Sequence, residues 1–105
     1  MTVEILYLEG CPNHGPAREL VQRTLAELGM RADVQSRAVL DGSAMEGFAG
    51  SPTILINGRD VEPAVATGIA CRIYANGTGV PSRETCERAI AQALKEEREK
   101  CSGVL

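Results

Sequence analysis

Apolar residues along the chain change their spacing several times, and each change marks an element. Val3 to Leu8 is nearly all apolar and β-rich, as suits a central strand covered on both faces, with Glu4 requiring a strand end or a partner. Gly10-Cys11-Pro12-Asn13-His14-Gly15-Pro16 then breaks the pattern and predicts a loop leading into a helix. From Ala17, the residues Ala17, Leu20, Val21, Thr24, Leu25 and Leu28 follow the stripe of an amphipathic helix, and Gly29 is placed to stop it. Ala32 to Leu40 alternates, with Val34, Ser36 and Ala38 on one side, which predicts a second, edge-like strand.

Asp41-Gly42-Ser43 can cap a short helix running to Phe48, with Met45 and Phe48 facing inward, and Gly50-Ser51-Pro52 ends it. Thr53 to Ile56 reads as a third strand. Asn57-Gly58 is a hairpin signal, because a type I′ turn needs positive φ at both central positions, and Arg59 to Val61 pairs back as a brief fourth strand. Glu62 to Val80 is weakly periodic apart from Ile69-Ala70-Cys71-Arg72-Ile73-Tyr74. Pro81-Ser82 opens a last helix with an inward stripe of Cys86, Ala89, Ile90, Ala93 and Leu94. Lys95 to Lys100 then reads as charged and solvated, and Cys101 to Leu105 as a frayed end. The order is strand, helix, strand, helix, strand, strand, helix: an α/β fold with a mixed four-stranded sheet flanked by helices. The first crossover should join parallel strands in the right-handed sense.

The 105 residues suffice for one domain with one core, from 1 to 105. The 14 acidic and 11 basic residues are interspersed, with no basic run to track a phosphate backbone, which argues against nucleic acid as a partner. No apolar stretch approaches the ~20 residues that cross a bilayer, and the opening residues lack a cationic export region, so a cytoplasmic protein without membrane contact is expected. Four cysteines in such a chain point to reduced thiols rather than a disulfide framework.

Cys11 stands where a loop feeds a helix, so unpaired backbone amides and the helix dipole favour its thiolate. His14, one turn on, stabilises that thiolate if protonated, and takes or returns a proton if neutral. Pro12 holds the turn and withholds one amide. The plainer alternative is a loop thiol beside a surface histidine. Cys71, next to Arg72, is either a second reactive thiol or a small buried residue between Ile69 and Ile73. Cys86 belongs to the inward stripe of the last helix, and Cys101 is incidental. Structural zinc sites show two close ligand pairs, whereas Cys11/His14 is the one such pair here. The carboxylates suggest no acid and base pair, and Gly77-Thr78-Gly79 is too short for a phosphate loop, so no cofactor is indicated. Tyr7, Phe48 and Tyr74 read as core or rim residues.

The order of elements, Cys11-Pro12-Asn13-His14 after the first strand, and Ser51-Pro52-Thr53 before the third resemble the thioredoxin fold over nearly the whole chain. More narrowly, Tyr7 to His14, Ser51 to Val61 and Ala70 to Tyr74 look like a group of small bacterial thioredoxin-like proteins, some labelled alkylmercury lyase. The resemblance implies a cis bond before Pro52 beside Cys11. It also implies a substrate-binding role for Pro12, Ser51, Pro52 and Thr53, the backbone of Ser51 pairing with a substrate held in a mixed disulfide. His14 stands where that motif carries a second cysteine, so exchange within the motif is not available.

The leading expectation is therefore thiol-disulfide exchange, with Cys11 as nucleophile, His14 tuning it, and Cys71 or an external thiol such as glutathione or a partner protein resolving the adduct. One alternative is a binding module in which Cys11, with His14 or Cys71, captures a soft ion such as mercury or copper(I). Another is a thioredoxin-fold interaction domain without chemistry. Cleavage of a carbon-mercury bond needs a proton donor besides thiols, and no motif places a carboxylate for it.

Overall fold

Six apolar-rich positions in a row make β1 (Thr2–Leu8) unfit for an edge, and the computed structural model, which describes residues 1–39, 50–62, 74 and 76–102, places it inside a mixed four-stranded sheet. β2 (Asp33–Val39) runs parallel to β1 on one side. β3 (Thr53–Ile56) runs antiparallel on the other, and β4 (Arg59–Asp60) closes the order β2-β1-β3-β4. The parallel pairing of β1 with β2 is the expected one.

Strand alternation sorts the core into two faces. Val3 and Ile5 pair in register with Ile56 and Ile54. They pack against Ala17, Val21 and Leu25 of α1 (His14–Glu27) and Ile90 and Ala93 of α2 (Arg83–Ser102). Leu6, Leu8, Leu55 and Val39 form a separate cluster, on the alternate positions of the same strands. β1 is thus buried on both sides, and Glu4, whose registered partner is Leu55, reaches Arg37 of β2 at 3.8 Å.

α1 begins three positions before its first buried residue, because Pro16 falls in the first turn, where backbone N–H groups have no intrahelical acceptor to lose. Its buried stripe is Ala17, Val21, Thr24 and Leu25. Leu28, expected on that stripe, is 44% exposed, since the chain reverses directly after it. There Gly29 adopts φ +67° and the Met30 N–H donates to Leu25 O at 2.9 Å.

The hairpin forms as expected, with Asn57 at φ +52° and Gly58 at φ +83°. Asn57 also clasps the start of β1: its N–H donates to Thr2 O at 2.8 Å, and its Oδ1 accepts from Thr2 N–H at 2.9 Å. Ser82 caps α2, its Oγ accepting from Thr85 N–H at 3.1 Å. Cys86, Ile90 and Ala93 are buried as the stripe required, with Ala89 and Leu94 half-buried. The helix then continues to Ser102, and its charged end is more than solvated, because Glu96 pairs with Arg59 beside the hairpin.

Two helices are seen among the described residues, not three. The short helix expected over 41–48, with Met45 and Phe48, lies outside the described residues, as does 69–73. No described helix is long and apolar enough to cross a membrane.

Ile54, fully buried between β1 and the helices, should cost about 2–5 kcal/mol on replacement by alanine, whereas Leu28→Ala should change stability by no more than about 0.5 kcal/mol. Urea denaturation of the two variants checks this, and equal losses would contradict the packing described.

Candidate functional site

Both short segments singled out by their sequence attach to one residue, Leu8, at the end of β1. Beyond it the chain must reverse at once, and Gly10 at φ +85° lets it, so that the Cys11 N–H donates to Leu8 O at 3.0 Å. On the other side, the Leu8 N–H donates to Ser51 Oγ at 2.9 Å. This follows from register: Leu6 opposes Thr53, so two residues further Ser51 comes opposite Leu8. The Ser51-Pro52 peptide bond is cis. The Cys11 turn and the Ser51-Pro52 segment are therefore neighbours across β1.

Ser51, Pro52 and Thr53, to which the resemblance assigned substrate contact, are all buried. Both side-chain hydroxyls and the Pro52 carbonyl are engaged inside the protein. Thr53 Oγ1 donates to Gly50 O at 2.5 Å, and Pro52 O accepts from the Tyr74 hydroxyl at 2.6 Å. The segment thus lies beside the Cys11 turn, anchored to β1 through Ser51 Oγ. Pro12, by contrast, is exposed.

Tyr74 is itself held by a turn, its N–H donating to Thr78 O and its carbonyl accepting from Gly77 N–H, both at 2.8 Å. Asn76, Thr78 and Val80 knit the same loop through the Asn76 and Thr78 side chains. The loop rests on the Cys11-His14 segment so closely that a side chain at Gly79 would overlap the Asn13 carboxamide.

Asn13 is the N-cap of α1 and His14 its first residue, which puts Cys11 just ahead of the helix rather than in it. The His14 N–H donates to Cys11 O at 3.4 Å, and Pro16 has no N–H, so Asn13 and Gly15 supply the remaining amides of the first turn. Cys11 is half-buried and free. No direct hydrogen bond joins its thiol to the His14 imidazole. Instead the His14 ring stacks on Tyr7, with centroids 3.7 Å apart and planes 7° apart, and its Nε2 is buried without a partner. Burial first, and the neighbouring Arg18 charge second, hold the imidazole below its ordinary value of 6.5. Of the two protonation states considered for His14, the neutral one is therefore favoured near pH 7. Arg18 is fixed one turn along α1 by Ser36 Oγ at 2.6 Å and Val34 O at 3.3 Å.

Cys86 is fully buried in the core, and desolvation pushes its thiol up to about 12, leaving it inert. Cys71 lies outside the described residues. Among the described residues no three His, Cys, Asp or Glu side chains converge as a metal site. Two grooves, one of about 240 Å³ between β4 and α2 and one of about 420 Å³ between α1 and β2, lie away from Cys11.

No protein-family model, curated protein or solved structure matches the chain.

The sequence reading passed over Tyr7 and Tyr74 as core or rim and did not single out Arg18 or Gly79. For Tyr7 a signal existed: it shares the parity of Val3 and Ile5, and so the face of β1 on which α1 lies. Nothing in the weakly periodic 62–80 stretch pointed to the Tyr74 bond to Pro52.

In a Cys71→Ser, Cys101→Ser background, a thiol alkylating reagent should modify one cysteine of the native protein, Cys11, and a second, Cys86, only after denaturation. Mass spectrometry counts the adducts, and rapid native labelling of Cys86 would contradict its burial. His14 should titrate below 6.5. Because the unfolded chain then binds the proton more readily, stability contributed by His14 is complete above pH 6.5 and is lost as pH falls from 6.5 through its folded value. Proton NMR of this single histidine and urea midpoints across pH check both signs.

Proposed function

We propose that this chain is a thioredoxin-like thiol-disulfide exchange protein with one reactive motif thiol, Cys11. The observation that carries the reading is the convergence on Leu8, which holds the Cys11 turn and the Ser51-Pro52 segment side by side at the end of one strand.

The exchange runs in two balanced steps. The Cys11 thiolate attacks one sulfur of a disulfide, forming a Cys11 mixed disulfide and releasing the other sulfur as a thiolate. An external thiolate then attacks the mixed disulfide, regenerating the Cys11 thiolate and forming a new disulfide. The free first-turn amides and the helix dipole act on the sulfur's negative charge. Neutral His14 takes the Cys11 thiol proton, directly or through one water, and returns it to the thiolate that leaves in the first step. His14 stands where a resolving cysteine would, and Cys86 is sealed in the core, so Cys71, glutathione or the thiol of a partner protein completes the cycle.

In the Cys71→Ser, Cys101→Ser background, oxidised glutathione should add one glutathionyl group per native chain, and Cys11→Ser should abolish it. A free cysteine is only a few per cent thiolate at pH 7, so perfect activation gains no more than about 30-fold, and His14→Ala should slow adduct formation by about 3- to 30-fold. Absence of any adduct on Cys11 would overturn the exchange reading, and an unchanged His14→Ala rate would remove His14 from it.

A further inference from the structure

A buried nitrogen without a hydrogen-bond partner is costly enough to need an explanation, and His14 Nε2 is such an atom. Its position is set from outside the helix. Tyr7, next to the last residue of β1, offers its ring to the His14 ring in a near-parallel stack, while the first turn of α1 fixes the backbone through the bond from His14 N–H to Cys11 O. With ring plane and backbone both held, the imidazole has one edge turned inward. The other nitrogen, Nδ1, has no hydrogen-bond partner either, yet it is not among the buried unpartnered atoms, so it meets solvent.

We infer that Tyr7 is a positioning residue that holds His14 so that Nδ1, and not Nε2, is the nitrogen that exchanges protons at the Cys11 site. This rests on the exchange reading for its purpose, although the orientation itself does not need that reading. The stack replaces the second hydrogen bond that usually orients a working histidine. Tyr7 supplies it with a flat ring near the end of a strand paired on both sides. The Tyr7 hydroxyl has no part in it, so phenylalanine should serve as well.

The chain has one histidine, which allows a direct test. In ¹⁵N-labelled protein, the two ring nitrogens of His14 are resolved by two-bond proton-nitrogen spectra at neutral pH, for the wild type, Tyr7→Phe and Tyr7→Leu. Wild type and Tyr7→Phe should show the same single tautomer, and alkylation of Cys11 should move the Nδ1 resonance more than Nε2. Tyr7→Leu should show nitrogen shifts averaged between tautomers. Its Cys11 glutathionylation at pH 7 should slow by about 3- to 30-fold, as in His14→Ala, with no further loss in the double variant. Nitrogen shifts unchanged in Tyr7→Leu, or a larger response at Nε2, would overturn the assignment. If no variant glutathionylates, the exchange reading fails while the nitrogen spectra still decide the role of Tyr7. Circular dichroism of Tyr7→Leu guards against loss of fold, and Tyr7→Phe supplies the rescue.

Discussion

The bond between Leu8 and Ser51 is the constraint on which the candidate site depends. A strand end has backbone groups that the sheet no longer pairs, and these must find partners or water. Here the N–H of Leu8 is satisfied by a serine hydroxyl from the neighbouring strand's approach, and its carbonyl by the amide of Cys11. One residue therefore determines where the Cys11 thiol stands relative to the Ser51-Pro52 segment. The remaining supports are layered behind it: Tyr74 on the Pro52 carbonyl, the 76–80 loop on Asn13, and Tyr7 on His14. Each holds a part of the site from a different element, so the geometry does not rely on the loop's own stiffness.

Where apolar spacing was regular, reading the chain and seeing the fold agree. The all-apolar β1, the stripe of α1 to Leu25, the Asn57-Gly58 hairpin and the buried Cys86 of α2 are all cases in which one local rule, periodicity or positive φ, decides the outcome. Disagreement arose where distant partners decide. Glu96 looks solvated in the sequence because Arg59, its partner, is 37 positions away. Tyr74 is buried, within the core-or-rim expectation, but its bond to the Pro52 carbonyl, 22 positions back, has no local signal. Ser51, Pro52 and Thr53 are buried, held by tertiary bonds that no spacing rule contains. For the site, sequence placed Cys11 and His14 on the right elements, and the cis bond that the resemblance implied stands at the Ser51-Pro52 peptide. Sequence did not anticipate the stack that turns the imidazole, and so left its protonation open.

The two sulfurs described here share a position but not an environment. Both belong to residues at or near the start of a helix, Cys11 ahead of α1 and Cys86 in the first turns of α2. Exposure separates them: Cys11 is half-buried, whereas Cys86 is sealed in the core with Ile90 and its neighbours. Helix position alone is therefore not a measure of thiol character in this fold.

The clasp of Asn57 on Thr2 has a practical side. It ties down the beginning of β1, and Cys11 leaves from the strand's far end, a separation of roughly 20 Å for seven residues at about 3.3 Å each. A tether or fusion joined ahead of Met1 would emerge beside the hairpin and leave the thiol facing away from its support. The protein is in that sense polarised, with one end of its central strand suited to being held and the other to meeting solution.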